Sequence, residues 1–572
     1  MDRRRFAILS LALAIAALIA LPALALARVA YITGSSGGMG SVAAPVELST
    51  QTANPANHVS IGMSSEGAPS DVAITPDGKT AYVVDNEKVV PIDIATNKAG
   101  TPIPIPLFGE AIAITPDGRF AYVTSIFVGP SEVSKIDLAT NTVVAEIPVG
   151  VSPFGVAVTP NSRTVYVASN GDGSAYPIDV ATNAVGPAIP VGAFPSSVAV
   201  APNGASAYVL SPGEEKLVRI DVATNTVTGT IPNVVGSELA IAPNSTKAYA
   251  VGGAEVTPVD LTAGVAGPTS VIPNQDSLED VAILPDGSRA YMTTQHVEVS
   301  NFVGLMTPLL TAGDALQPAF PLNVSFVQAL AIVPNQPPRA AFGSAPAPAK
   351  ALQAVSFDAS GSDDTDGGSV ARYEWDFGDG TVVQNGGATP QHTYAKPGTY
   401  QVTLTTTDNE GCSVSILFPG QTAYCNGSSI ARITHPVVVE SGLCPRVKAS
   451  ASTFVPKRRP GNVLPGVRVK LASGVPSKLT VTANLIYQQD GKEASAGLGT
   501  VSVTVNKWRR IRFTIPAALR QELPVGTPVK VALRIETMPR DGNPCEATVV
   551  GRTLKVHVVK VFPNRVQFER PR

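Results

Sequence analysis

The sequence predicts an all-β protein: a closed ring of seven four-stranded repeats, then two further β modules of sandwich type. Three observations predict it. One phrase recurs at a near-constant period over more than half the chain. Each copy holds several short β-branched runs separated by turn residues. Gly and Pro, at 50 each in 572 residues, punctuate the chain too often for long helices. Charged residues are only 15% and hydrophobic residues 44%, which suits packed cores and argues against disorder.

The N-terminus comes first. Arg3, Arg4 and Arg5 precede an apolar run from Phe6 to Leu21, and Ala25-Leu26-Ala27 offers an A-x-A cleavage site. Residues 1–27 therefore read as a signal peptide, and the mature chain as extracellular or held in the cell envelope. If the leader stays uncut it is long enough to anchor the chain in a membrane.

The repeats occupy residues 28–336. Turn tokens begin at Pro76, Pro116, Pro160, Pro202, Pro243, Pro285 and Pro334, spaced by 40, 44, 42, 41, 42 and 49 residues. Six residues after each of the first six stands a tyrosine: Tyr82, Tyr122, Tyr166, Tyr208, Tyr249 and Tyr291. Runs such as VAVTP and VYVAS flank a tight Pro-Asn or Pro-Asp turn, and a phrase of the form IDxATN follows. Four short strands in about 42 residues is the content of one propeller blade. The first copy is torn: Ala30-Tyr31-Ile32-Thr33 has a tyrosine but no preceding first strand, and the run from Gln328 to Asn335 has no following one. Pairing the two ends completes a seventh blade and leaves no open radial edge. The phrase "AYVTS…KIDLATNTVVAEIPVG" closely resembles YVTN-type β-propeller repeats of bacterial surface and secreted proteins, which speaks to fold and hardly to activity.

Residues 337–440 carry Trp375-Asp376-Phe377-Gly378-Asp379-Gly380, His392-Thr393-Tyr394 and Pro397-Gly398-Thr399-Tyr400. These resemble the PKD domain, an immunoglobulin-like sandwich, with Trp375 as its core plug. The resemblance further implies calcium at Asp364, Asp366 and Asp408, against the plainer reading of a solvated acidic loop. An insert between Cys412 and Cys425 reads as a disulfide-stapled hairpin, and the four cysteines of an exported chain suggest the pairs Cys412–Cys425 and Cys444–Cys545. Residues 441–572 alternate apolar and polar residues as a further β domain that matches no family.

Chemistry is sparse. The five histidines are scattered, and no H-E-x-x-H, P-loop or strand–helix G-x-G-x-x-G occurs. The Asp of each IDxATN phrase reads as a turn cap in preference to a pore-mouth carboxylate. The sequence thus points to a non-enzymatic scaffold without a required cofactor, whose propeller presents a face or channel to a glycan, cell-wall polymer or protein. The alternatives are a lactonase-type propeller hydrolase and a surface-layer protein.

Charge divides the chain. Residues 440–572 hold 23 Lys/Arg and 8 Asp/Glu, or +15, and the remainder has 42 − 23 = 19 basic and 44 − 8 = 36 acidic residues, or −17. Lys457, Arg458, Arg459, Lys507, Arg509 and Arg510 form two basic clusters suited to an anionic envelope polymer. Export makes nucleic acid an unsuitable partner.

Overall fold

The computed structural model describes residues 28–440, apart from 37–39, 63–68, 107, 127–130, 299 and 300, together with the backbone of strands between 447 and 569. The leader, Cys444, Cys545, Lys457, Arg458, Arg459 and Lys507 lie outside the described residues, and Arg509 and Arg510 are described in backbone only.

Seven small antiparallel sheets account for residues 29–332. Their first strands are Leu330–Ile332, Asp71–Ile74, Gly109–Ile114, Pro153–Val158, Ser197–Val200, Glu238–Ile241 and Ser277–Ile283. Each first strand touches those of the two neighbouring sheets, and the series returns on itself. The return is made by the two chain ends. Val29–Ser36 pairs with Gly40–Glu47 on one side and with Leu330–Ile332 on the other, setting Ala30 against Ile332, Tyr31 against Ala331 and Ile32 against Leu330. Between the sheets lie seven buried apolar clusters, one per junction. The junction of last sheet with first is as well filled as the others: Ala30, Ile32 and Val42 pack with Met306, Phe320 and Leu322.

The recurrent tokens now have physical roles. The tyrosine hydroxyl of one sheet reaches the turn residue of the next. Tyr82 donates to Asn141 Oδ1 at 2.8 Å and Tyr249 to Asp314 Oδ1 at 2.6 Å, and Tyr31 and Tyr166 donate likewise to Asn97 and Asn225. At one junction Lys135 takes over, its Nζ 2.9 Å from Asn183 Oδ1, and the Tyr122 hydroxyl is left without a partner. Asn97, Asn141, Asn183, Asn225 and Asp314 all have φ between 51° and 59°, the left-handed region that Asn and Asp tolerate best. The preceding Asp caps this turn. Asp221 Oδ1 accepts from the amide of Thr224 at 2.9 Å and from its hydroxyl at 2.8 Å, and Asp93 and Asp179 accept likewise from Thr96 and Thr182. Those donors hold all three carboxyls below their ordinary range.

Next in the chain is a two-sheet sandwich. Its larger sheet runs Ala349–Lys350, Arg432–Glu440, Gly398–Asp408, Val370–Asp376, Val382–Val383, and its smaller one Gly343–Ala345, Ala354–Asp358, Gln391–Thr393. Trp375 is fully buried between them with Phe357, Phe377, Tyr394 and Leu404, and its Nε1 donates to Gly387 O at 2.9 Å. His392 stacks on Phe377, ring centroids 4.2 Å apart, with Nε2 2.8 Å from Asp379 Oδ2, so it serves the sandwich. Beyond it, strands between 447 and 569 form a three-stranded and a five-stranded antiparallel sheet.

Candidate functional site

The inner edges of the seven first strands face one another across a central cavity of about 550 Å³, counted with its open mouth. Five of the strands contribute lining residues, and Ser196, Gln328 and Ala329, just ahead of the other two, complete the wall. Five of the lining residues are acids: Asp71, Glu110, Glu238, Glu279 and Asp280. No Lys, Arg or His is among them. Two of the acids also tie the ring together. Asp71 Oδ2 accepts from Ile112 N of the next sheet, and Asp280 Oδ2 accepts from Leu330 N, both at 2.8 Å. Burial and the charges of Asp280 and Asp71 push the Glu238 carboxyl well up, and burial and Asp280 do the same to Asp71. Asp280 is pushed up to about 7, chiefly by burial.

These raised carboxyls set a pH dependence. Folding favours the protonated acid, so the stabilising effect is complete below the unfolded value near 3.8 and is lost as pH rises toward about 7. At ~1.4 kcal/mol per pH unit that is roughly 4 kcal/mol for Asp280. The melting temperature is expected to fall between pH 5 and pH 7.5, and Asp280→Asn to flatten that slope. A wild-type melting temperature that rises over this interval would contradict the assignment.

The opposite end of the cavity is closed by the insert between Cys412 and Cys425, which are joined by a disulfide. The sequence reading made this insert a disulfide-stapled hairpin, and Leu417 and Cys425 do pair across it; its residues 419–424 also reach the ring. Successive residues of the insert meet successive sheets. Pro419 O accepts from Val200 N at 2.8 Å, Gly420 O from Val158 N at 2.7 Å and Gln421 O from Ile114 N at 3.2 Å. Thr422 Oγ1 accepts from Ile74 N at 3.1 Å, and the Tyr424 hydroxyl donates to Ile241 O at 2.5 Å. The inner edge of each sheet would otherwise leave these amides unpaired. Phe418 is fully buried among Val156, Val165 and Ile178. Gly420 sits at φ +129°, and a Cβ there would stand 2.8 Å from Ala157 Cβ, so the closest approach of the insert to the ring requires glycine. A second, more apolar cavity of about 640 Å³ lies beside the stopper, lined in part by Val198, Leu239, Ile332 and Pro419.

Residues 335–417 match the PKD domain. The match ends at Leu417, and the stopper residues Phe418 to Tyr424 follow it, ahead of the last sandwich strand Arg432–Glu440. A curated relative, collagenase ColA of Clostridium perfringens (strain 13 / Type A), is 49% identical over 57 residues, which are 10% of this chain and 5% of that protein. The chain thus spans a small fraction of that relative's length. Among solved structures, hydrazine synthase of Kuenenia stuttgartiensis aligns with a TM-score of 0.35 at 24% identity, over 44% of this chain and 73% of that one. A PKD domain and a disulfide are at home in extracellular proteins.

The three carboxylates predicted for calcium are brought together beside the PKD domain's junction with the ring, and a guanidinium from the ring stands among them. Arg28 Nη1 lies 3.5 Å from Asp366 Oδ2, and Arg28 Nη2 also pairs with Glu410. Asp408 is committed elsewhere: Oδ1 accepts from Glu410 N and Cys412 N, both at 2.8 Å, and Oδ2 from Asn335 Nδ2 at 3.0 Å. Asp364, against Asp366, is pushed up to about 7 by burial and then by that neighbour. Among the described residues no group of three or more His, Cys, Asp or Glu has the arrangement of a metal site. The set as it stands does not fit calcium; Arg28 supplies the positive charge.

Sequence reasoning missed the acidic lining altogether. Its signal was faint: an acid one or two residues ahead of a repeated apolar run, as in Asp71-Val72-Ala73-Ile74 and Glu238-Leu239-Ala240-Ile241. It also counted no G-x-S-x-G, which was mistaken: Gly34-Ser35-Ser36-Gly37-Gly38 has that spacing, with Gly37 and Gly38 outside the described residues. Ser36 ends the strand Val29–Ser36, and the next element is its antiparallel partner Gly40–Glu47. A strand followed by a strand is not the strand–helix setting of a nucleophile elbow.

Proposed function

We propose that the chain is a scaffold of the cell envelope or exterior, exported through its N-terminal leader. Its seven sheets are a seven-bladed propeller of YVTN type, joined to the PKD domain as one presenting unit, and its basic C-terminal region holds that unit on an anionic envelope polymer. One observation carries the reading: the PKD insertion stoppers the propeller channel and pairs with its inner strands. A ring stoppered in this way has one open mouth and a fixed orientation toward whatever lies beyond the PKD domain. The lactonase-type alternative needs a convergent Glu/Arg/His set at that mouth. The lining offers carboxylates, serines and glutamines with no His or Arg, which favours binding over catalysis.

The test is cosedimentation of the full chain with purified cell envelope. Exposed charges are screened over about 8 Å at physiological salt, so binding is expected at low salt and should fall as salt rises. Neutralising Lys457, Arg458, Arg459, Arg509 and Arg510 together should reduce it at least tenfold. Binding that ignores both salt and these substitutions would defeat the anchor. Sheets formed by the purified protein alone would favour the surface-layer alternative.

A further inference from the structure

The open mouth of the ring has a rim as well as a throat, and the two differ in chemistry. Phe108, Phe194 and Phe326 each lie two residues ahead of a residue lining the throat: Glu110, Ser196 and Gln328. All three have positive φ, at 62°, 56° and 49°, and their side chains are 45%, 64% and 45% exposed. Phe302 packs on Phe326 with ring centroids 4.3 Å apart and is itself 39% exposed. Phe302 and Phe326 form one exposed aromatic pair, and Phe108 and Phe194 stand singly ahead of two other first strands, so together they offer separate apolar contact points before the throat. The concavity is blind, because the PKD insertion closes its far end, so an occupant enters past this rim. What it then meets is five carboxyls with no basic side chain among the lining residues.

We propose that this mouth docks a partner polypeptide through a segment in which lysine or arginine alternates with apolar residues. The apolar residues cover the phenylalanine rim, and the cationic head groups pass into the acidic throat, where their alkyl stems lie along apolar surface. Two alternatives explain less. A bare metal ion accounts for nothing about the rim, and among the described residues no metal-site geometry is present. A neutral glycan could stack on the rim but offers the five carboxyls no cation, whereas a cationic head group favours their ionised form and pairs with it, and such complementarity fixes partner choice. The inference does not rest on envelope anchoring, which uses the opposite, basic end of the chain and is read in a separate assay.

The experiment uses the full-length protein and a fluorescein-labelled hexapeptide of alternating phenylalanine and lysine, followed by anisotropy. The control peptide carries serine in place of phenylalanine. The Phe/Lys peptide is expected to bind, and the Ser/Lys peptide to bind at least tenfold more weakly. The paired substitution Glu110→Gln and Glu279→Gln should weaken Phe/Lys binding at least tenfold, and Phe108→Ser with Phe194→Ser at least fivefold. Glu110→Gln alone, expected to weaken binding at least threefold, serves if the double variant does not fold. Absence of binding, equal binding of the two peptides, or binding unchanged by the glutamine substitutions would each overturn the proposal. Displacement of the peptide by neutral oligosaccharides at comparable concentration would overturn it in favour of a glycan.

Discussion

Ala331→Pro is expected to open the ring. Ala331 is the middle residue of the short strand Leu330–Ile332 and faces Tyr31 in the ladder that joins the two ends of the repeat region. Proline removes a ladder donor and cannot be accommodated within a paired strand. The acceptor it orphans is buried beside Tyr31, which is 1% exposed. Together these effects should cost about 3 kcal/mol or more, or some 6–12 °C in melting temperature at roughly 2–4 °C per kcal/mol. The comparison is Val271→Pro, in the outermost strand Ser270–Val271 of another sheet, where Val271 is 63% exposed. Edge strands tolerate proline, so that variant should cost less than about 1 kcal/mol. Equal melting temperatures for the two would show that the closing ladder is no more important than any sheet edge.

The strand that closes the ring was legible in the sequence because it belongs to a pattern. Ala30-Tyr31 lacked a first strand, Gln328 to Asn335 lacked a second, and a period near 42 residues made both gaps visible. The tyrosine and the IDxATN turn were legible for the same reason, though their meaning was not. Period alone cannot show that Tyr82 and Asn141 meet; they stand 59 residues apart and touch only because neighbouring sheets pack face to face. The channel acids had no such advantage. Asp71, Glu238 and Asp280 stand five residues ahead of their turn prolines and Glu110 and Glu279 six, but the other three repeats carry no acid at these offsets, and only ring closure brings the five to one cavity. Arg28 was hidden in another way. It read as the first residue after the leader, and its partners Asp366 and Glu410 lie more than 330 residues on. Asp364, Asp366 and Asp408, read as a calcium set, stand near one another, but no local pattern could announce that a guanidinium from the ring would stand among them.

The stopper was the least legible element, because a disulfide 13 residues apart looks self-contained, and it carries the second large expectation. Replacing Cys412 and Cys425 together by serine should cost about 3 kcal/mol through the freed loop, and Phe418→Ala, a fully buried ring, about 3–5 kcal/mol. A staple serving only the PKD domain would spread that loss over the sandwich. A stopper should lose it at the ring. The measurement is amide hydrogen exchange at Ile74, Ile114, Val158 and Val200, whose N–H groups donate to Thr422, Gln421, Gly420 and Pro419. In both variants these four amides should lose protection by a factor of ten or more. The sandwich ladder between Gly398–Asp408 and Arg432–Glu440 should exchange as in the parent. In calorimetry the parent ring and PKD domain should melt in one transition, and Phe418→Ala should divide it in two, since the insertion couples units that otherwise have separate cores. Protection retained at the four ring amides, with loss confined to the sandwich, would return the insertion to the status of a local staple and leave the channel open at both ends.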